Sequence, residues 1–255
     1  MDSTKKGGVT ERLMVAVLKT AVSNYRDRGF ESHPLRQREG KDGFDKKRRT
    51  QIKELVHFDE LQKSIGDNNK SKRHLDSFKE KLDFAKYFVE KYEEGKEYYG
   101  TNSQQHDIAL IFKANAEAAI FICKSSLDCL ANALNEICKL TIPKVYFNRR
   151  LAETLCLRND NYKEIAQIIN NFIDENDYFF KLRNSITHNV VLSAQHDLEL
   201  SSKKIEMRFQ ELAGCNIPDN LEVGNYSCNL MDKIYKLAED IFKHLLDEEE
   251  KGKRL

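Results

Sequence analysis

The stretch from residue 106 to 140 constrains this chain more than any other. Ile108, Ile111, Phe112, Ala119, Ile120, Cys123, Leu127, Leu130, Leu134 and Ile137 fall in helical register and leave little polar face. A helix that is apolar nearly all round belongs at the centre of a fold, with other helices covering it. Lys113, Glu117, Lys124 and Asp128 are its few wet or paired positions. Its longest unbroken apolar run, Ala118–Cys123, is far too short for a bilayer, so no membrane span is expected. Pro143 is the expected stop.

The rest of the chain supplies the cover. Leu75, Phe78, Leu82, Phe84, Ala85, Phe88 and Val89 predict a helix over 72–98, ended by Gly95 and Gly100. Leu230, Ile234, Leu237, Ile241 and Leu245 form one stripe of a last helix over 226–248. A tail at 247–255 is expected to fray. A short helix is expected over 51–65, then a polar break at Gly66-Asp67-Asn68-Asn69. Residues 144–160 read as a connector pinned by Tyr146 and Phe147, with Arg149, Arg150 and Arg158 available to line a phosphate path. Surface arginines are, however, usually only surface. Alternation in Asp197-Leu-Glu-Leu and Lys204-Ile-Glu-Met-Arg-Phe, around Ser201-Ser202-Lys203, suggests a small β-hairpin near 197–209. Pro218 and Gly224 bound a loop. Only three prolines and 40% hydrophobic residues agree with an all-α fold that can bury a core.

Charge divides the chain. Residues 1–75 carry 18 Lys and Arg against 11 Asp and Glu, a surplus of +7; the remainder carries 24 against 30, a deficit of −6. We read 1–75 as a basic N-terminal region and 76–250 as the helical domain. A basic arm on an acidic body is either a nucleic-acid-facing element or an intramolecular contact. Leu13, Met14, Val17, Leu18, Ala21 and Tyr25 form a helical stripe within 10–27, and residues 28–50 read as a linker. The linker ends in Lys46-Lys47-Arg48-Arg49, a solvated helix start or a phosphate-contacting patch, with no aromatic residue interleaved for base stacking. The apolar patch Leu13–Leu18 is short and interrupted, so no signal peptide is expected. Six cysteines, at 123, 129, 138, 156, 215 and 228, make no C-x-x-C pair. They read as buried reduced thiols of a cytoplasmic protein, not as a disulfide frame or a metal site. No metal ligand set, glycine-rich phosphate loop or cofactor signature is present, and no cofactor is expected.

The chemistry-bearing residues lie in Arg183-Asn184-Ser185-Ile186-Thr187-His188-Asn189, at the end of an amphipathic run over 161–188. On a helical wheel with Leu182 at zero, Ile186 lies about 40° away, and Ile168, Phe172 and Phe179 within about 80°. That is the core stripe. Arg183, Thr187, Asn184 and His188 spread from about 100° to about 240° on the other face. Asn184 and His188 are four apart, so the amide can orient the ring. Ile169, Ile173 and Phe180 on that face need a second cover, from another helix or a second copy of the chain. The same residues have a plain structural account. An Arg and a His near a helix C-terminus suit the macrodipole, and Asn189 is an ordinary left-handed cap.

The string Arg183-Asn184-x3-His188, near the end of one of several long helices, resembles the signature of the HEPN superfamily, an Arg-x4–6-His motif with a polar residue after the Arg. The resemblance covers about residues 76–250. It implies an antiparallel four-helix core, here with extra N-terminal helices, and a homodimer joined through the 162–188 helix. It further implies a metal-independent RNA endonuclease of toxin or defence type, with Arg183, Asn184 and His188 as site residues and a partner or antitoxin that the motif does not name. RNA supplies its own nucleophile, the 2′-hydroxyl. His188 would act as base or acid near neutral pH, and two copies across a dimer would divide those roles. Arg183 would stabilise the phosphate in the transition state, and Asn184 would hold the ring or a phosphate oxygen. The products would be a 2′,3′-cyclic phosphate and a 5′-hydroxyl. The chain departs from one subset, which continues His-x-Tyr; here it is His188-Asn189-Val190, so pairing with a nucleotidyltransferase antitoxin is not implied. The alternative is a non-catalytic HEPN-like module that binds nucleotides or proteins.

Overall fold

A computed structural model describes residues 55–98, 105–188, 194–199, 204–209 and 221–250. The expected helix over 10–27, the linker and basic run of 28–50, the Asn189 cap and Pro218 lie outside the described residues. Contacts divide the chain at Arg49, and all the described residues belong to the unit Thr50–Leu255. The domain therefore begins well before residue 76. Phe58 and Leu61 sit in its core, and the helix carrying Leu75 runs unbroken across the expected boundary.

The described residues are mostly helical. Helix α1 spans Phe58–Ser64, α2 Asn69–Tyr98 and α3 Gln105–Ile137. Gly66, at φ +64°, makes the turn between α1 and α2. Asn68 starts α2, its side-chain oxygen accepting the Ser71 N–H at 3.2 Å. Leu75, Phe78, Leu82, Ala85, Val89 and Tyr92 follow at alternating steps of three and four, and all six are buried. That spacing keeps one seam facing one partner helix. The partner is α3, whose buried residues include Ala116, Ile120, Cys123, Leu127, Leu130 and Leu134. Lys70 lies opposite Glu136, and Lys81 donates to Ser125. Val89 and Ala116 line one crevice. As one number rises the other falls, so α2 and α3 are antiparallel.

Helix α3 ends at Ile137, before Pro143 is reached. Lys139 at φ 52° turns the chain, and the Leu140 N–H donates back to the Asn135 carbonyl at 3.0 Å. This closure satisfies the last carbonyls with a left-handed residue after the cap. The Asn135 side chain then clasps Ile142 by its N–H and its carbonyl.

The expected connector contains a helix, α4, Arg149–Arg158, started by Asn148, whose side chain accepts from the Leu151 N–H. Phe147 is buried against the core, as expected, but Tyr146 is half exposed and pins nothing. After a 3-10 turn at Asp160–Tyr162 come α5, Lys163–Glu175, and α6, Asp177–His188. Strands β1, Ala194–Glu199, and β2, Lys204–Phe209, pair antiparallel, with Ala194 opposite Phe209 and Glu199 opposite Lys204. Helix α7, Val223–Glu250, contains Gly224 rather than following it. Its stripe Leu230, Ile234, Leu237, Ile241 and Leu245 is buried. Phe242 meets Phe78 edge-on at 6.2 Å, and Tyr92 reaches the helix start at Glu222, so α7 runs antiparallel to α2. Lys233 bonds Asn176 and His244 bonds Asn161, so it is antiparallel to α5 as well. Among the described residues no helix is long and apolar enough to cross a membrane.

Candidate functional site

The motif helix is two helices. Asn176 breaks it. Its side-chain amide and its backbone N–H both donate to the Phe172 carbonyl, at 2.8 and 3.1 Å, which closes α5. Its carbonyl accepts the Phe179 N–H at 2.9 Å, which opens α6. Its side-chain oxygen accepts from Lys233 of α7 at 3.0 Å, fixing the joint to the body. A single wheel cannot cross such a joint. On α6 the wheel holds: Phe179 and Leu182 are fully buried and Ile186 is half-buried. On α5 it fails for Ile168, placed on the core stripe but half-buried. Ile169, placed on the opposite face, is fully buried by its own chain. Of the three residues that called for a second cover, Ile173 and Phe180 remain half-buried. Phe180 rests edge-on against Phe172 and Phe179.

The polar face lies on α6. Arg183 is half-buried and Asn184 exposed. Arg183 Nη1 donates to Asn184 Oδ1 at 3.2 Å, and the guanidinium carbon stands 6.0 Å from the centre of the Phe121 ring on α3. The ring gives the guanidinium an apolar floor and a weak electrostatic attraction. Asn184 thus engages Arg183. Its expected reach to His188 falls outside the described residues, because only the backbone of His188 is described, as the last residue of α6.

Sequence reading left the other side of the site unassigned. One turn beyond Phe121, Lys124 pairs with Asp128. Burial lowers the pKa of the Lys124 ammonium; Asp128 opposes that shift, and the positive charge of Arg183 adds to it. Asp128 also accepts the Phe147 N–H at 2.9 Å, tying the segment before α4 to α3. Lys81 of α2 donates to Ser125, next to Lys124. Phe121, Lys124, Ser125 and Asp128 stand at i, i+3, i+4 and i+7, one face of one helix. Cations from α2, α3 and α6 therefore gather on the polar stripe of the most apolar helix. The signal in the sequence was the pair of charges four apart inside that helix, legible as paired but not as near Arg183.

The arginines of α4 play a smaller part in the geometry. Arg149, Arg150 and Arg158 are exposed, and Arg149 is paired with Asp174. Among the described residues no group of His, Cys, Asp or Glu is arranged to hold a metal ion. Cys123 and Cys138 are buried, Cys129 and Cys228 half-buried and Cys156 exposed, all as free thiols; Cys215 lies outside the described residues. Burial pushes the thiols of Cys123 and Cys138 up to about 12. Both are structural, because an inert thiol of this kind holds its proton at neutral pH.

A second polar cluster closes the other end of the α2–α3 pair. Glu222, nearly fully buried, accepts from the Tyr92 hydroxyl at 2.7 Å and from the N–H groups of Gly224 and Asn225 at 3.0 and 2.7 Å. It caps α7 with a full negative charge, which suits the helix N-terminus. The rings of Tyr178, Phe209 and Tyr226 stack edge-on beside it, 5.4–5.9 Å apart. No protein-family model, no curated protein and no solved structure matches this chain.

Proposed function

We propose that the chain is a HEPN-like, metal-independent RNA endonuclease of toxin or defence type, working as a homodimer. The observation that carries this reading is Arg183 itself. It stands half-buried at the foot of α6, beside exposed Asn184, facing the stripe of α3 that carries Lys124. A guanidinium held over an aromatic ring in a partly desolvated setting is suited to the extra charge of a phosphoryl transition state. The antiparallel registers of α2 with α3 and of α7 with α2 and α5 agree with the four-helix core of that superfamily. His188 would move the proton of the 2′-hydroxyl or of the leaving oxygen, and a second copy would supply the other proton transfer.

The test is cleavage of total RNA in EDTA. Wild type should give 2′,3′-cyclic phosphate ends. His188→Ala should lower the rate by about 10²–10⁴-fold, the usual range for a general acid or base. Arg183→Ala should lower it by about 10²–10³-fold. Cleavage that survives His188→Ala rejects the assignment.

The second reading is a non-catalytic nucleotide-binding or protein-interaction module. The contacts of Arg183 with Asn184 and Phe121 favour it, since a structural arginine makes such contacts too. It predicts that Arg183→Ala lowers stability, and that His188→Ala changes no RNA profile.

A further inference from the structure

We propose that the segment joining α3 to α4 is a docking platform for single-stranded RNA, with the Tyr146 ring stacking on a base and Lys144 and Arg150 contacting phosphates of the same strand. The proposal takes its RNA from the nuclease reading but is tested on binding alone.

From residue 137 to residue 152 the chain carries four Lys and Arg and no Asp or Glu. Arg149 is paired with Asp174 of α5, so its charge is partly answered. Lys144 and Arg150 are exposed, and among the described residues neither side chain has an ion-pair or hydrogen-bond partner. Arg150 brings its helix no stability. It stands in the first turn of α4, where the macrodipole disfavours a cation and no acid offsets it. Tyr146 lies between the two in the chain. Exposure alternates along this segment: Val145 and Phe147 are buried, while Lys144 and Tyr146 are exposed. The two buried neighbours turn the Tyr146 side chain outward, 49% exposed, and among the described residues its ring meets no other ring and no cation. Tyr87 on α2, 42% exposed, instead packs edge-on against Phe88 with Lys91 over its face. The backbone beneath Tyr146 is fixed. Asn135 holds Ile142 by its N–H and its carbonyl, Asp128 accepts the Phe147 N–H at 2.9 Å, and Asn148 caps α4. An open aromatic face with cations beside it suits an unstacked base and its phosphates; a duplex keeps its base faces inside. The platform also shares a helix face with the candidate site. Asp128, which holds Phe147, and Phe121, whose ring lies under Arg183, are two turns of α3 apart, about 10 Å.

The experiment uses the full chain and a fluorescein-labelled 2′-O-methyl oligonucleotide of mixed sequence, in which the nucleophile is blocked. It is offered as a single strand and annealed to its complement. Affinity is read by anisotropy across a salt series, with the basic N-terminal region the same in every variant. Tyr146→Ala should weaken single-strand binding by about 5–150-fold, the loss of one stacked base, and leave the slope of log K against log salt unchanged. Tyr146→Phe keeps the ring face and should bind as wild type does. Lys144→Gln and Arg150→Gln should each reduce the slope by about 0.7, one phosphate contact on a single strand. Duplex binding should not respond to Tyr146→Ala. If the surface takes an acidic protein segment, or is only solvated, Tyr146→Ala leaves single-strand affinity unchanged and the proposal is overturned. Equal losses on the two probes, an unchanged slope in both charge variants, or a wild type that fails to bind the single strand overturn it too. Cleavage of ordinary RNA in EDTA is scored separately. A chain that never cleaves but loses single-strand affinity in Tyr146→Ala refutes the nuclease reading and leaves the platform standing. A chain that cleaves while Tyr146→Ala binds as wild type does the reverse.

Discussion

Among the described residues, the polar clusters at Glu222 and at Lys124 are built on opposite principles. Around Glu222 one charge meets three donors of its own chain, at 2.7–3.0 Å. Around Lys124 and Arg183 like charges are brought together, and the Asp128 carboxylate beside them is shared with a backbone N–H. The first arrangement saturates a buried carboxylate and thereby fastens α7 to α2. The second sets the Lys124 ammonium of α3 and the Arg183 guanidinium of α6 against each other. A saturated cluster stabilises a fold; clustered like charges lower stability and suit a ligand of the opposite sign. The two clusters should therefore contribute differently to stability.

The largest effect should come from alkaline pH, which attacks the core and its closed cluster together. Burial raises the pKa of the Tyr92 hydroxyl, and the neighbouring Glu222 charge raises it further. Burial likewise raises Tyr226, and brings Tyr162, Tyr235, Cys123 and Cys138 to about 12. The ordinary values are 9.0 for the thiols and 10.0 for the phenols. A raised folded-state pKa means that the folded chain keeps protons that the unfolded chain has released. The stability from these groups is complete below pH 9.0 and is lost as pH rises toward about 12. Denaturant midpoints followed upward from neutral pH should be flat with respect to these groups and then collapse. A flat profile through that window would refute their burial.

Next in size is Glu222→Ala. It leaves the Tyr92 hydroxyl and two helix N–H groups without their acceptor and should cost about 3 kcal/mol, as loss of a helix cap and of buried hydrogen bonds together. Glu222→Gln keeps an acceptor oxygen and should cost about half as much. Chemical denaturation of the pair separates charge from hydrogen bonding. Gly224→Ala tests the same joint sterically. A Cβ there would stand 2.6 Å from Cε1 of the Tyr92 ring and 2.1 Å from a Glu93 carboxylate oxygen. The carboxylate can swing away, but the buried ring cannot, so the cost should be about 2 kcal/mol.

Much of this was legible before the structure, and the illegible parts share a cause. The helices α2 and α7 announce themselves because one apolar stripe persists over many turns, as from Leu75 to Tyr92 or Leu230 to Leu245. Helix α4 does not, since Leu151, Ala152 and Leu155 are its buried residues and its ends are arginines. The joint at Asn176 is equally silent. An asparagine on an amphipathic helix reads as one more polar position, and only its bonds to Phe172 and Lys233 make it a break. The end of α3 was misread because Pro143 is the louder signal, while Lys139 takes a left-handed seat that glycine or asparagine usually fills. In the candidate site, local spacing set Arg183 and Asn184 on one face of the helix, and the two are bonded to each other. Phe121 comes under Arg183, and Lys124 feels its charge, only through the packing of α3 on α6, which periodicity along either helix alone does not encode.

The smallest effect is the one that most sharpens the contrast between the two clusters. Lys124→Met keeps the aliphatic stem against the core and removes the ammonium. Three terms then compete. The ion pair with Asp128 is lost, which is unfavourable. The desolvation of a buried ammonium is relieved, and so is its repulsion from Arg183, both favourable. Asp128 does not become stranded, because it is 24% exposed to water and keeps the Phe147 N–H at 2.9 Å. The terms should cancel to within about 1 kcal/mol, against about 3 kcal/mol for Glu222→Ala. Thermal and denaturant unfolding of the two variants side by side measures the difference directly. If Lys124→Met proves as damaging as Glu222→Ala, the Lys124–Asp128 pair is a fastening like the one at Glu222, and the distinction between the two clusters falls. If it is neutral, the lysine is not a fastening of the fold, and the contrast with Glu222 stands.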